Sequence, residues 1–462
     1  MNRLIKNELA KVFKKKSIYI LLIVTFAFVI LTNVIYKYAY SNLAIFDEYG
    51  INAMKEELKT LDPEKPEDVQ EYLMVKSQID LYDYSKEYDS SSWQYALIQE
   101  KGMQYVYDVN NYTYVEKNET ELEKAKKDLD SFIQDIKQGE WKKIVQEEID
   151  ILKAQDIQDE PTKMQIEELQ MRLDYNIEYG NNYKNTALSL LFDSKLTLVE
   201  LEEKNNKTYR EKIEYQNAKE QLEINKYIIE NDVDIANSTN SRGILLNVFS
   251  EYSIFIIIGV VLISGTIVSE EFNKGTIKLL LVRPYSRNKI LFAKFITILI
   301  TMLVIILAVI VMQLIVGIIF TGAQSLKIQQ VVYNHKTEKI EEVNIALAVL
   351  KEGLGKLPMY ILIATLAFSS SILFNNTAVA ITMSLLGYTA SGIINQITYS
   401  LNVKWIKYFV TPNWDLSQMF NGKLHELEGI NMTFALVICL IYFLIMIIPS
   451  FIVFKKKNIK NI

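Results

Sequence analysis

Cysteine is almost absent: Cys439 stands alone among 462 residues. No disulfide can close within the chain, so a disulfide-stapled secreted scaffold and a thiolate metal cluster are both excluded. Histidine occurs only twice, at His335 and His425, which excludes catalysis built on several imidazoles. His425-Glu426-Leu427-Glu428 opens like a zinc-peptidase motif but has no second histidine. Seven prolines and 16 glycines are few for this length, and they argue for long helices rather than disorder. A nucleotide cradle G-x-x-x-x-G-K-[ST] is missing too. The nearest text, Gly353-Leu354-Gly355-Lys356-Leu357, lacks the correctly spaced first glycine and the Ser or Thr after the lysine. Nor does any nucleophile–base pairing stand out, which disfavours a membrane-bound enzyme.

Charge is also missing from long stretches, although 23% of all residues are charged. Residues 17–36, SIYILLIVTFAFVILTNVIY, carry none. Twenty helical residues cross a hydrocarbon core of about 30 Å. The run exceeds the apolar core of a cleaved signal peptide, about 7–15 residues, so it reads as a retained anchor. Five further spans follow at 252–268, 295–320, 357–374, 378–395 and 433–454. Asn375, Asn376 and Thr377 alone separate the fourth and fifth, which predicts an antiparallel helical hairpin. No Asp, Glu, Lys, Arg or His falls inside these spans. Ion-coupled carriers bury such groups, so a transporter of this kind would need to be driven from outside the bilayer.

Lysine and arginine in the connecting segments set the orientation. Tail 1–16, loop 269–294 and tail 455–462 together carry 16 positive charges and three negative, the latter being Glu8, Glu270 and Glu271. Segment 37–251 carries 26 positive and 45 negative. Six spans put both termini and all three basic segments in the cytoplasm, and segment 37–251 outside, with 321–356 and 396–432 as further outer segments. The last, holding Trp405, Pro412 and Trp414, reads either as a re-entrant element or as interfacial anchoring. The expected fold is therefore an all-α integral membrane protein, with six transmembrane helices and a large helical extracytoplasmic domain between the first two.

Within 37–251 the apolar spacing predicts one amphipathic run over Glu121–Asp150, through Leu129, Phe132, Ile136, Ile144 and Val145. A second helix begins near Pro161, a third covers Leu188–Leu201, and a fourth starts at Tyr209 and continues toward the membrane through Ser250. Nine aromatic residues crowd 82–114, among them Tyr84, Tyr88, Trp93, Tyr105 and Tyr112. They would serve either a ligand-binding face for peptide or glycan or, more plainly, the domain's own core. The domain's acidity serves solubility, or attracts cationic ligands.

The richest segment is 270–294, EEFNKGTIKLLLVRPYSRNKILFAK. Glu270 and Glu271 stand where the second span ends. Gly275 permits a sharp change of direction. Thr276 can cap a short helix through Leu280 and Leu281, which Pro284 stops. Ser286 and Arg287 then restart a helix leading into the third span. A surface helix lying on lipid headgroups would have the same leucine and lysine content. The order of Glu271, Gly275, Thr276, Leu280, Leu281, Arg283, Pro284, Ser286, Arg287 and Lys294 resembles the cytoplasmic loop of ABC-2 exporter permeases. The N-terminal tail, with Leu4, Ile5, Leu9, Val12 and Phe13 on one face, looks like that family's interface helix.

The resemblance covers the first span and residues 245–454, not the outer domain. It implies a non-enzymatic permease in a bacterial cell membrane, whose loop docks on an ABC ATPase subunit. ATP and Mg would sit on that subunit, with no cofactor or metal on this chain. A second permease copy or a relative would complete a dimer, with Gly387 and Ser391 as a candidate contact. Membrane lipids are implied as partners, and nucleic acid is not. Peptides such as bacteriocins, lipids and envelope precursors are all compatible cargoes. A non-transporting envelope receptor or secretion-system component is the alternative, and the loop over 270–287 separates the two.

Overall fold

A computed structural model of the chain describes all residues except 40–47, 156–158, 235–239, 278–284, 402 and 458–462. Its contacts fall into two units. One gathers Met1–Ser41, Lys204–Asn217 and Ala236–Ile462, and the other Asn42–Glu203 and Ala218–Ile235. In chain order, α1 (Asn2–Val12) and α2 (Lys16–Ala39) open the first unit. The second holds α3 (Glu48–Leu58), α4 (Val69–Ser85), α5 (Trp93–Tyr114), α6 (Glu119–Gln138), α7 (Trp141–Lys153), α8 (Glu160–Asp174) and α9 (Tyr183–Glu202). Helix α10 (Tyr209–Asn231) begins in the first unit and ends in the second. The chain then continues through α11 (Ser241–Leu246), α12 (Val248–Thr266), α13 (Ser269–Asn273), α14 (Arg287–Thr321), strands β1 (Gln330–Asn334) and β2 (Lys339–Val343), α15 (Ile345–Phe374), α16 (Thr377–Ser400) and α17 (Met432–Lys456).

Six stretches in the first unit are long and apolar enough to cross a membrane: Lys16–Lys37, Ser241–Asn273, Arg287–Thr321, Ile345–Phe374, Thr377–Ser400 and Met432–Lys456. Their apolar residues have two fates. Helix α12 packs against α2, α14, α15 and α16, and its Tyr252, Ile256 and Ile257 are wholly buried. The outer helices instead leave large side chains bare, with Ile23 68% exposed and Ile319 71% exposed. So much exposed apolar surface is stable only against lipid or a partner. Several polar groups inside this unit pair with one another across helices. Thr32 bonds Tyr252, Ser253 bonds Tyr360 at 2.7 Å, and Asn33 reaches Gln313 at 3.4 Å.

Asn375 and Asn376 form the tight turn between α15 and α16. Asn375 takes a left-handed φ of 53°, and Asn376 caps α16 by accepting from the Ala378 and Val379 N–H groups. Helix α15 starts at Ile345 and runs 30 residues through Pro358, so the segment 321–356 is not all loop. It also holds the antiparallel hairpin β1–β2, in which Gln330 pairs with Val343 and Asn334 with Lys339. Beyond α16, short 3-10 turns at Lys404–Tyr408, Thr411–Asn413 and Ser417–Asn421 close on a small core of Ile406, Leu416, Met419 and Leu427. Trp414 is buried in the main core of the helix bundle, whereas Trp405 stays 62% exposed. This cap meets α15 at Gly355, whose carbonyl accepts from the Leu416 N–H at 2.9 Å. A Cβ on Gly355 would lie 2.3 Å from the Ser417 Cα.

Every regular element among the described residues of the second unit is a helix. The run over Glu121–Asp150 is not one helix. Gly139 takes φ +83° and ends α6, with the Glu140 N–H bonding back to the Asp135 carbonyl at 2.9 Å. The apolar spacing survives the break because α6 and α7 feed one core, with Leu129, Phe132, Ile136, Val145 and Ile149 buried together. Asp159 caps α8 by accepting from the Thr162 N–H at 3.0 Å, and Pro161 occupies its first turn. Helix α10 stops at Asn231 and does not continue to Ser250. A left-handed Asp232 follows it, and the next described helix starts at Ser241.

Gly355→Ala should destabilise the protein by about 1–3 kcal/mol, because the backbone of Ser417 cannot yield to a new methyl. Gly392→Ala, with nothing within 4 Å of its would-be Cβ, should be neutral or slightly stabilising. Thermal unfolding midpoints of the two variants in the same detergent check the contrast.

Candidate functional site

Both carboxylates that follow the second apolar stretch are held by lysines of the N-terminal segment, Glu271 by Lys11 of α1 and Glu270 by Lys15 just beyond it. Helix α12 ends at Thr266, and the short α13, which follows its N-cap Val268, presents Glu270 and Glu271. Helix α1 has one buried edge, with Leu4, Glu8 and Val12 buried and its remaining lysines outside. From the base of α14, Lys294 enters between these elements. Its side chain is fully buried. The ammonium donates to Glu8 at 2.7 Å and to the Ile267 carbonyl at 3.0 Å, and it pairs with Glu271 at 2.8 Å. Lys11 closes the ring by donating to Glu8 at 2.7 Å and Glu271 at 2.9 Å. Two cations and two anions thus alternate, and the ring is neutral.

Neutrality makes the burial tolerable, because an unpaired ion in this setting would cost several kcal/mol. Burial alone would raise the Glu8 carboxyl, but the Lys294 charge and the bonds from Lys11 and Lys294 outweigh it and hold Glu8 below its ordinary value. Burial likewise works against the Lys11 charge, yet Glu8 and Glu271 carry its ammonium above the ordinary range. A second bridge runs alongside. Lys15 bonds Glu270 and the Thr266 hydroxyl, and Lys274 pairs with Glu270 at 2.6 Å. Between these groups lies a groove of about 500 Å³, which Lys14 and Thr276 also line.

Other cations at this end of the bundle serve helix C-termini. Arg287 donates to the carbonyls of Lys455 and Lys457, at 3.1 and 2.8 Å, where α17 ends. Lys457 in turn donates to the Ile372 carbonyl and the Asn375 side chain at the end of α15. These are the carbonyls a helix leaves unpaired, and a cation is favoured beside them. Gly275 takes φ +67°, the turn that its position suggested. Ser286 caps α14 by accepting from the Lys289 N–H at 3.4 Å. Leu280, Leu281, Arg283 and Pro284, with most of the short helix they would form, lie outside the described residues. Gly387 is exposed and its nearest neighbour is Leu366 of the same chain, while Ser391 is buried, so this pair does not present a shared outward face.

This ring falls inside a recognisable family. A family described as ABC-2 family transporter protein matches residues 3–333, a stretch that runs from α1 through α14. The chain belongs to the ABC-2 family of transporter proteins. A second family, described as a protein of unknown function, matches residues 216–460. The uncharacterized protein YhcI of Bacillus subtilis (strain 168) is 32% identical over 253 residues, covering 53% of this chain and 77% of that protein. The uncharacterized membrane protein YdbK of the same organism is 27% identical over 231 residues, covering 50% and 85% respectively. No solved structure matches the chain.

The motif of this multi-pass ABC-2 protein therefore divides in two. Glu271, Gly275, Thr276, Ser286 and Arg287 are placed, and they form the root of the loop rather than its tip. Arg287, expected as a docking residue, is occupied in holding the end of α17. Sequence reasoning missed Glu8 and Lys11 as partners. Their signal was available, because Glu8 is the sole acid in a tail of six cations and sits on its apolar face.

Lys294→Met should destabilise the protein by about 3–5 kcal/mol, since it leaves two buried carboxylates sharing Lys11. Adding Glu8→Gln restores neutrality and should recover at least half of the loss, as read from thermal midpoints in nanodiscs. The pH response follows from the directions of the two shifts. The depressed Glu8 contributes stability above its ordinary value of 4.5 and loses it as pH falls through its folded value. The raised Lys11 contributes below its ordinary value of 10.5 and loses it as pH rises through its folded value. Helix α1 should stay docked between those limits and release in acid, which a spin label on α1 would detect as a gain in mobility.

Proposed function

We propose that this protein is the permease subunit of an ABC-2 exporter, driven by a separate ATPase subunit that carries ATP and Mg. The supporting observation is the Lys294 ring. It joins the N-terminal helix, the exit of α12 and the entry of α14 into one ionic body beside the segment 278–284. Force applied to that loop would reach two membrane helices at once. A transition between two packed arrangements, biased by nucleotide through such a contact, is the usual form of this coupling. The chain itself would hydrolyse nothing.

The basic end of the bundle is read as cytoplasmic. Lys11, Lys294, Arg287 and Lys457 come from all three basic segments, and the contacts above bring them to one set of helix ends. This agreement supports the orientation drawn from charge. Both termini are then inside, and the helical domain of α3–α9 is outside. Two copies of the chain, or one copy and a relative, would form the pathway. Peptides, lipids and envelope precursors all remain compatible cargoes of the bundle.

Gently extracted protein should copurify with an ATP-hydrolysing subunit. Leu280→Asp should reduce that recovery at least about tenfold, by putting a charge into an apolar contact, while membrane insertion is unchanged. In a Cys439→Ala background, an impermeant maleimide should label Glu160→Cys in intact cells, and Lys274→Cys only after permeabilisation. Recovery of no ATPase, or labelling of Lys274→Cys from outside, would overturn the exporter reading in favour of an envelope protein without an ATPase.

A further inference from the structure

We infer that the helical domain binds cationic amphipathic peptides in a groove between α5, α6 and α7. This rests on the second unit alone and holds whether or not the ATPase reading does. The groove encloses about 410 Å³, within the range of about 300–1,000 Å³ usual for ligand sites. Its floor is apolar. Ala125 and Ile144 are buried, and Tyr105 lies half-buried with its ring stacked on Phe132 at 4.7 Å. At the rim Ile151 is 66% exposed and extends the apolar floor outward. Tyr112 also faces this space.

The walls are acidic. Asp108 comes from α5, Glu121 and Asp128 from α6, and Glu147 and Glu148 from α7. Two lysines, Lys101 and Lys124, stand against them, and Lys101 is taken by Glu148 at 2.8 Å. Lys143 approaches Glu147 only at 3.8 Å and is held by both oxygens of Asp135. Asp108, Glu121 and Asp128 have no lysine partner among the described residues, and Asp108 accepts instead from the neutral Gln104 amide at 2.7 Å. The remaining field is negative. Burial and then the neighbouring Asp128 push the Asp108 carboxyl up, and burial followed by Glu147, Glu148 and Asp128 does the same to the Tyr105 phenol.

Charge and floor together select the ligand. A bare metal ion would need three ligating groups converging, and no such cluster of His, Cys, Asp or Glu occurs among the described residues. Glu121 and Asp128 are two helical turns apart, about 10 Å. A single amine does not span that distance, whereas a chain with several cationic side chains does. An isoleucine and two tyrosines between the carboxylates would take the apolar residues of such a chain, with lysine or arginine reaching the walls. Among peptides, the groove would thus favour those with cationic and apolar side chains interleaved.

The test uses the full chain in nanodiscs of zwitterionic lipid and a fluorescein-labelled octapeptide of alternating lysine and leucine. The controls are its glutamate–leucine counterpart and the polyamine spermine. The lysine peptide should bind and the glutamate peptide should not. The triple variant Asp108→Asn, Asp128→Asn, Glu147→Gln should weaken binding at least about tenfold, and removing three exposed carboxylates elsewhere in the domain (Glu57→Gln, Glu67→Gln, Glu87→Gln) less than about threefold. Ile151→Ser should weaken the peptide without affecting spermine. Unfolding midpoints confirm that each variant is folded. Absence of lysine-peptide binding, equal binding of both peptides, or equal effects of the two triple variants would overturn the proposal. Spermine binding as tightly as the peptide, with Ile151→Ser affecting neither, would overturn the peptide assignment and leave a polyamine site.

Discussion

A wholly buried ammonium cannot stand alone, and the basic end of this bundle is organised around that demand. Lys294 sits where α14 begins, with no exposed surface. Its three contacts come from three different places in the chain: Glu8 of the N-terminal helix, the carbonyl of Ile267 at the end of α12, and Glu271 of α13. Each partner would be costly to leave unpaired, so each fixes the others' positions. Hydrophobic packing could hold α1 against the bundle in several registers. Two alternating ion pairs allow one.

The same logic extends to cations that the orientation rule treats only as a count. Arg287 and Lys457 lie in basic segments, and that placement alone would be satisfied by free, solvated side chains. Instead Arg287 ties the last carbonyls of α17 to the start of α14, and Lys457 ties the end of α15 to the turn before α16. Helix C-termini carry partial negative charge and unpaired carbonyls. Two helices ending together, α15 and α17, therefore create a local need for cations. Membrane orientation and helix capping draw on the same residues here, so a charge reversal at Arg287 would disturb the bundle before it told anything about a docking partner.

The apolar stretches, the tight turn at Asn375 and Asn376, and the helical character of the second unit could all be read from residue order, because each depends on local composition. Gly275 and Ser286 were also readable, since a turn and a cap leave local marks. The break at Gly139 was not. The apolar spacing runs on through it, and only the left-handed backbone reveals that two helices share one core. The ion ring was hidden for a different reason. Glu8 and Lys294 are 286 residues apart, and a single sequence records neighbours along the chain, not across it. Lys294 also lies one residue before the third apolar span, where a lysine ordinarily reaches for headgroups. The hairpin β1–β2 escaped notice because its alternation spans only five residues a side.

The two units answer to different solvents, and this decides how charge behaves in each. In the first, exposed surface is aliphatic over long stretches of α2, α14, α16 and α17, so every ionic group that leaves water must be matched inside the chain. In the second, exposed surface is charged, and water can solvate whatever the protein leaves unmatched. Carboxylates without a cationic partner, such as Asp108 and Asp128, are therefore cheap to keep, and they need no internal counter-charge for the fold to hold. That freedom allows the second unit to carry an excess of negative charge around an apolar floor. The first unit has no such freedom, and it uses its charges to close contacts with itself.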